Sequence, residues 1–159
     1  MFRFVVLSAV LAMASPAFAQ SSVEGYLAGG AGAWSNPSTS GSLFAGVGGV
    51  EWRLSPFAGI AAEGGVMTTL RGGLALIVGA DGRAHFGDSR TPHHWAPYAL
   101  GGYSRLAFFE GSDNAVQLGA GADYRLSSRR ALRIEIRDLI RSSNVTSHYW
   151  TARIGLSFK

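Results

Sequence analysis

Residues 150–158 read WTARIGLSF, and this stretch alternates without a break between two kinds of residue. Every second residue is apolar, whereas the residues between them are polar or glycine. Because successive side chains of a β-strand point to opposite faces, a period of two predicts a strand with one apolar and one polar face. The apolar residues are Trp150, Ala152, Ile154, Leu156 and Phe158.

The same alternation recurs upstream and predicts an all-β chain of eight strands. Segments rich in Ser, Pro, Asp and Gly separate the strands, which is typical of turns. Each strand is close to the roughly 9–11 residues that a tilted strand needs to cross a bilayer. The alternation is weak in the first and fifth strands, so their register stays open. The strands are predicted at residues 26–34, 44–54, 58–66, 74–86, 98–105, 116–126, 132–137 and 150–158.

The segments between the strands are of two kinds that alternate along the chain. An antiparallel arrangement places the two kinds at opposite ends, and an even number of strands brings both chain ends to the side of the short turns. The pattern therefore predicts an up-and-down antiparallel barrel. Short turns are predicted at 55–56, 88–92 and 127–128, and polar loops at 35–41, 68–72, 108–113 and 142–147.

An internal repeat supports this register. The sequence EWRLS at 51–55 recurs as DYRLS at 123–127, 72 positions later. In each copy a further acid, Glu63 or Glu135, follows 12 residues after the first one. The two copies predict one hairpin design, in which a strand ends in Arg and Leu, turns at Ser, and the next strand returns a Glu to the polar face.

The composition narrows the class of protein. The chain has 159 residues, enough for one domain, with no Cys, 15% charged residues and a net charge of +4. The lack of Cys excludes a disulfide-stapled miniprotein and a thiolate metal site. A soluble domain is usually about a quarter charged, so the low value indicates apolar surface that does not face water. The small excess of positive charge is not typical of a nucleic-acid-binding protein.

The first 19 residues are predicted to form a secretory signal peptide. Arg3 supplies a positive charge, residues 4–13 form a run that is apolar except for Ser8, and Ala17 and Ala19 are small residues of the kind that a signal peptidase reads. The apolar run is too short to span about 30 Å of hydrocarbon as a helix. We therefore expect residues 1–19 to be removed on export and residues 20–159 to form the barrel domain, with both ends in the periplasm.

The alternation by itself fits either a water-soluble barrel with an apolar core or a membrane barrel with an apolar exterior. The large aromatic residues of the apolar face stand at the strand ends, where amphipathic rings meet a membrane interface. The polar face mixes charges of both signs with glycine, which suits a narrow lumen filled by side chains. Both observations favour the membrane barrel. The aromatic residues are Trp52, Phe86, Tyr98, Tyr124 and Phe158 at the periplasmic end, and Phe44 and Trp150 at the other end.

On these features the chain resembles the small outer-membrane β-barrels, the OmpA/OmpX-like group of porin-family proteins. Residues 119–126 and 132–138 are similar to the penultimate hairpin of that group. The apolar stripe of the last strand, which ends in an aromatic residue and is followed here by Lys159, is similar to the signal that the barrel-assembly machinery reads. The resemblance implies an integral protein of the bacterial outer membrane whose partners are membrane lipids and, during biogenesis, that machinery. We expect a monomer that binds no nucleic acid and no cofactor.

The charged residues of the polar faces are the candidate functional residues. Residues two apart in a strand share a face, and Arg pairs well with carboxylates. We interpret the set as a hydrogen-bonded plug that closes the lumen in a protein with a structural, envelope-integrity or surface-contact role. The alternative is a narrow ion path with a slight preference for anions, because Arg outnumbers the acids. The predicted lumen residues are Glu51, Arg53, Glu63, Asp81, Arg83, His85, Arg105, Asp123, Arg125, Arg133, Glu135, Arg137 and Arg153.

No catalytic, cofactor or metal site is predicted. A lipid A deacylase would need a His two residues before Ser143, but that position is Arg141, and a Ser without a base is not activated. His93 and His94 are neighbours in a predicted turn, which by itself does not make a metal site. A soluble periplasmic barrel that holds a hydrophobic ligand stays open as a further alternative.

Overall fold

The computed structural model is a closed antiparallel barrel in which each strand pairs with the next and β8 pairs back to β1. The structure describes residues 22–70, 73–87, 93–109, 111–142 and 145–159. Within these ranges, no helix is long and apolar enough to cross a membrane. The strands are β1 Ser22–Asn36, β2 Thr39–Arg53, β3 Ala58–Thr69, β4 Leu74–His85, β5 Trp95–Phe108, β6 Gly111–Arg125, β7 Arg130–Ser142 and β8 Thr146–Phe158.

The predicted number, order and pairing of the strands are confirmed. We call the end of the barrel that carries residues 54–57 and 126–129 the periplasmic end, and the opposite end the outer end. The predicted signal peptide, the predicted turn at 88–92 and the pair Ser143-Asn144 lie outside the described residues.

The strands are longer than predicted, and the predicted extent of the loops at the outer end is therefore wrong. Only Pro37 and Ser38 separate β1 from β2, where the sequence pattern predicts a loop over 35–41. The Asn36 side chain accepts hydrogen bonds of 2.9 Å from the backbone N–H groups of Ser38 and Thr39, which stabilises this tight turn. With 15 residues each, β1 and β2 exceed the roughly 9–11 residues needed to cross a bilayer, so the outer end projects beyond it.

The apolar faces of the strands point outward, as predicted for a membrane barrel. Ile134 and Leu156 have 43% and 51% of their surface exposed, whereas Glu135 and Arg153, one position away from them, are buried. Most of the predicted interfacial aromatic residues are also on the outside, but the outward orientation predicted for Tyr98 is wrong. Its side chain is buried in the lumen. β5 gives no clear apolar face in its lower half, because Ala and Gly carry little of the alternation.

The barrel closes where β1 and β8 approach each other closely. A Cβ atom on Gly30 would overlap the carbonyl oxygen of Ala152, and one on Gly32 would overlap that of Trp150. Lower on the same seam, the ring of Phe158 lies over Gly25, its register partner. The glycines of β1, which weaken its sequence pattern, are therefore what allow this seam to close.

Candidate functional site

With one exception, the predicted lumen residues lie inside the barrel. Their side chains are almost inaccessible from outside, and Glu51 and Arg137 expose no surface at all. The predicted residues found in the interior are Glu51, Arg53, Glu63, Asp81, Arg83, His85, Asp123, Arg125, Arg133, Glu135, Arg137 and Arg153.

Arg105 is the exception, and its predicted inward orientation is wrong. The side chain is exposed, and its register partner on β4 is the outward-facing Val78, while its neighbours Ser104 and Leu106 are buried. Arg105 lies three residues before the end of β5 at Phe108. At this height the exterior approaches water, so a guanidinium on the outer surface does not have to be desolvated.

The interior holds one acid that the sequence analysis missed. Glu24 of β1 is buried, and its Oε1 lies 2.9 Å from Lys159 Nζ and 3.3 Å from Arg125 Nη2. The side chain of Lys159 thus returns into the periplasmic end of the lumen. The weak alternation of β1 concealed this position, although Glu24 lies two positions before Tyr26, whose side chain also points inward.

Removing Arg105 from the set and adding Glu24 changes the count of interior charges. Among the described residues, the buried carboxylates and guanidiniums of the lumen are equal in number. The excess of Arg over acids on which the predicted anion preference rests is therefore wrong, and Lys159 adds one partly exposed cation at the periplasmic end. The lumen carboxylates are Glu24, Glu51, Glu63, Asp81, Asp123 and Glu135, and the guanidiniums are Arg53, Arg83, Arg125, Arg133, Arg137 and Arg153.

Glu51 is the centre of the lower part of the network. Its Oε2 accepts hydrogen bonds from Arg83 Nη1 at 2.8 Å and from Arg133 Nη2 at 3.1 Å. Its Oε1 lies 2.8 Å from His85 Nε2 and 3.4 Å from Arg53 Nε. One carboxylate on β2 is therefore connected to β4 and β7 across the lumen.

Glu63 has the same role one level higher. Its Oε1 accepts hydrogen bonds from Arg137 Nη1 at 2.8 Å and from Arg153 Nη1 at 3.1 Å. Arg137 also donates through Nε to Glu135 at 2.9 Å. These contacts connect β3 to β7 and β8, so the two levels together fill the lower lumen with charged hydrogen bonds, which are stronger than neutral ones.

Two tyrosines placed 72 positions apart repeat one arrangement on opposite sides of the barrel. Tyr26 Oη donates to Glu63 at 3.0 Å, and Tyr98 Oη donates to Glu135 at 2.8 Å. This spacing of 72 positions equals that of the sequence repeat at 51–55 and 123–127. The repeat therefore extends to Tyr26 and Tyr98, which the sequence analysis did not place in the lumen. Each ring passes over a glycine where a Cβ atom would come within 2.5–2.6 Å of it, and these glycines are Gly49 and Gly121.

The two rings also stack with two guanidiniums in the middle of the lumen. The Cζ atom of Arg133 lies 4.6 Å from the ring centre of Tyr26 and 5.3 Å from that of Tyr98. The Cζ atom of Arg83 lies 4.9 Å and 5.5 Å from the same two centres. Cation–π contacts of this kind stabilise buried Arg and leave little space along the axis.

The charged network ends below a layer of uncharged polar side chains. Gln117 Oε1 accepts hydrogen bonds from Arg137 Nη1 at 2.8 Å and from Ser104 Oγ at 2.9 Å. Above this layer the lumen is apolar, which the sequence analysis did not predict. The apolar cluster consists of Leu43, Met67, Ala75, Ile77, Leu106, Ala115, Leu139 and Tyr149, with Trp34 and Phe108 packed against it.

The chemistry of the interior is that of paired ions. Every lumen carboxylate among the described residues lies within 4 Å of at least one Arg nitrogen. In the same part of the chain, no group of three or more His, Cys, Asp or Glu side chains is placed to hold a metal ion. The arrangement is suited to cross-linking the strands and filling the lumen.

Comparison with known proteins places this barrel in a family. The family model for the outer membrane protein β-barrel domain matches residues 5–158. The chain belongs to this family. A member of the outer membrane β-barrel family with this architecture is a protein of the bacterial outer membrane. The predicted location and the predicted membrane barrel are therefore confirmed. The alternative of a soluble periplasmic barrel is wrong.

Solved structures share the fold of this family member at low sequence identity. Neisserial surface protein A (NspA) has a TM-score of 0.70 at 16% identity, over 88% of this chain and 99% of that one. The N-terminal β-barrel domain of Pseudomonas aeruginosa OprF has a TM-score of 0.65 at 16% identity, over 87% of this chain and 98% of that one. Yersinia pestis Ail, in complex with the heparin analogue sucrose octasulfate, has a TM-score of 0.51 at 12% identity, over 86% of this chain and 99% of that one. A comparison with curated proteins finds no match.

Proposed function

We propose that this outer membrane barrel is a closed, non-enzymatic structural protein that supports the integrity of the envelope. The observation that carries the proposal is the interior, where charged residues from seven strands are bonded across the lumen below an apolar layer. We also propose that it acts as a monomer, with membrane lipids and the barrel-assembly machinery as its partners.

The two layers oppose the passage of ions for different physical reasons. In the lower layer, a passing ion would have to separate Arg–carboxylate pairs such as Arg137–Glu63, whose atoms lie 2.8 Å apart. Leaving one member of a buried pair without its partner costs about 3–5 kcal/mol. In the upper layer, the ion would lose its hydration among side chains such as Leu43, Leu106 and Leu139, which offer no polar atom in exchange.

We expect planar-bilayer recordings of the purified protein to show no conductance steps, in chloride salts of either small or large cations. A general porin reconstituted in the same membrane supplies the positive control, and heat-modifiable migration on a gel shows that the barrel is folded. Discrete steps from folded protein would replace the proposal with the channel alternative. Since the buried carboxylates and guanidiniums of the lumen are equal in number among the described residues, such a channel should show no marked preference for anions.

The envelope role predicts a phenotype that does not depend on transport. Cells that lack the protein should take up a hydrophobic dye faster and be more sensitive to detergent than the parent strain. The wild-type gene should restore the barrier. Equal dye uptake with and without the protein would contradict an envelope role.

A surface-contact role has separate support at the outer end. Phe109, in the short connection between β5 and β6, has 91% of its surface exposed, and Leu70, after β3, has 73% exposed. Exposed apolar residues at this end are available to a partner outside the bilayer. The Ail structure with a heparin analogue shows that a barrel of similar fold binds a ligand, but that observation concerns Ail alone.

A further inference from the structure

We propose that the wall formed by β8, β1 and β2 binds one phospholipid of the inner leaflet, with its phosphate at Arg129 and Arg130 and an acyl chain in an apolar groove nearer the bilayer centre. The inference rests on the proposed association with membrane lipids, and it specifies the lipid and its place on the barrel. It does not depend on whether the lumen conducts.

The two arginines lie at the height where the headgroups of the inner leaflet meet the barrel. Arg129 is in the turn before β7, Arg130 is the first residue of β7, and both are exposed at the periplasmic end. Arg130 is the register partner of Phe158, an outward aromatic residue. Aromatic residues at the strand ends mark the membrane interface. The two guanidiniums are therefore beside the phosphates of this leaflet.

Backbone hydrogen bonds hold both arginines in an ordered turn. The carbonyl oxygen of Arg129 accepts a hydrogen bond of 3.0 Å from the N–H of Lys159, and that of Arg130 accepts one of 3.0 Å from the N–H of Leu126. Each guanidinium carries several N–H donors in a planar arrangement that matches phosphate oxygens. Because the backbone of the turn is already ordered, binding a phosphate here costs little conformational entropy.

The tilt of the strands determines which part of the wall lies between Arg130 and the bilayer centre. Register partners followed from Arg130 once round the barrel, first to Phe158 and then to Gly25, return to β7 at Ile140, ten residues nearer the outer end. Such a stagger accompanies a strand tilt of roughly 35–45° to the barrel axis. A line parallel to the axis that starts at Arg130 therefore crosses β8 first, then β1 and then β2.

A shallow apolar groove of about 680 Å³ lies along this line. It begins at Phe158 of β8 and continues over Leu27 and Gly29 of β1. Its far part reaches Gly46 of β2 and Gly64 of β3. An acyl chain that extends from a phosphate at the two arginines towards the bilayer centre therefore runs along the groove.

The packing of the barrel does not require the glycines in the floor of this groove. Among the residues that the structure describes, a Cβ atom on Gly46 would meet no atom within 4 Å, and one on Gly29 would meet the carbonyl oxygen of Ala45 at an ordinary 3.7 Å. Gly30 and Gly32 of the β1–β8 seam differ, since a Cβ atom there would overlap the backbone of β8. Glycine within a strand often marks a place where a ligand approaches the backbone closely.

The combination of the two parts identifies the ligand as a phospholipid. A free phosphate ion would satisfy the guanidiniums but leave the groove to other molecules. A neutral lipid would fill the groove and leave the guanidiniums without an anion. A molecule with a phosphate at the interface and a hydrocarbon chain directed towards the bilayer centre uses both parts at once.

The test uses native mass spectrometry of the purified protein in a neutral detergent. The probes are phosphatidylglycerol, the diacylglycerol with the same chains, and inorganic phosphate. The double variant Arg129→Gln/Arg130→Gln removes the charge, and Arg105→Gln is its control, because Arg105 is an exposed Arg on the outside of the opposite end. Heat-modifiable migration shows that each variant is folded.

A second pair of variants tests the groove without changing the charge. Gly46→Val places a side chain in the groove, and a β-branched residue is well tolerated in a strand. Gly82→Val is its control, because Gly82 of β4 is outside this groove and a Cβ atom there would meet the carbonyl oxygen of Gly101 at an unstrained 3.9 Å.

We expect the wild-type protein, Arg105→Gln and Gly82→Val to retain phosphatidylglycerol equally and in preference to diacylglycerol. The double Gln variant should weaken retention about tenfold or more, since hydrogen bonds to charged groups are lost. Gly46→Val should also weaken it. Equal retention by the variants of either pair, or equal retention of diacylglycerol by the wild type, would overturn the proposal. Displacement of the lipid by an equal concentration of inorganic phosphate would show a free-anion site and overturn the assignment to a lipid. Each of these results would leave the envelope role to its own test, which is dye uptake by cells that lack the protein.

Discussion

The substitution Ile134→Arg is expected to prevent the assembly of the barrel. Ile134 faces outward at mid-height on β7, where it is paired with Ile154 of β8 and with Ala122 of β6. An Arg at the midplane of a barrel wall costs about 2–4 kcal/mol, because its charge must lie in hydrocarbon. That cost is a large fraction of the net stability of a small domain, which is about 5–15 kcal/mol.

The matched control is Leu70→Arg. Leu70 is also an exposed apolar residue, but it lies in the turn after β3 at the outer end, where an Arg side chain reaches water. Recovery of heat-modifiable protein from the outer-membrane fraction measures assembly. We expect almost none for Ile134→Arg and a nearly normal amount for Leu70→Arg. If both variants assembled equally well, Ile134 would not face lipid.

The substitution Glu51→Gln is expected to cause the largest loss of stability from the interior. It keeps the shape of the side chain and removes the charge that Arg83, Arg133 and Arg53 share. Removing one partner from a buried ion pair costs about 3–5 kcal/mol, because the remaining charges stay desolvated. Equilibrium unfolding in urea, in lipid vesicles, should show a lower midpoint with little change in slope.

Asp113→Asn is the control for this second experiment. It also replaces a carboxylate that pairs with an Arg, since Asp113 Oδ2 lies 3.2 Å from Arg141 Nε, but both side chains are partly exposed. A solvent-exposed pair contributes about 0–1 kcal/mol, so the midpoint should hardly move. Similar shifts in the two variants would mean that the lumen is hydrated and that its ion pairs are no stronger than those at the surface.

The strands that carry both bulky apolar and charged residues could be predicted residue by residue. In β7, Ile134 and Ile136 alternate with Glu135, and the structure places them on the predicted faces. β1 and β5 could not be oriented in this way, because Gly and Ala provide no contrast between faces. For this reason Glu24 was missed and Tyr98 was given the wrong face.

The sequence repeat held information that alternation did not. An offset of 72 relates Tyr26 to Tyr98, and both donate a hydrogen bond to the Glu that lies 37 residues further along the chain. Extending the repeat beyond its charged core would have oriented both tyrosines inward. It would not have found Arg105, whose counterpart 72 positions earlier is Ala33.

The outer end was mispredicted because the two faces exchange character there. Within the bilayer the exterior is apolar, but above it Leu106 and Leu139 point inward while Arg105 and Asn114 point outward. A period of two shows which residues share a face of the strand. It does not show whether that face contacts lipid, water or the lumen. The environment changes with height when a strand continues from hydrocarbon into water, and the sequence pattern does not mark that height.

The apolar cluster at the outer end of the lumen makes the two ends of the interior different: the charged groups lie towards the periplasmic end. It separates the ionic groups from the outer end of the barrel with side chains such as Leu43, Leu106 and Leu139, which expose no surface themselves. At the opposite end, Lys159 is partly exposed and is directly bonded to Glu24, the first carboxylate of the network. We therefore expect protons and deuterons that exchange with these buried groups to enter through the end of the barrel that carries Lys159.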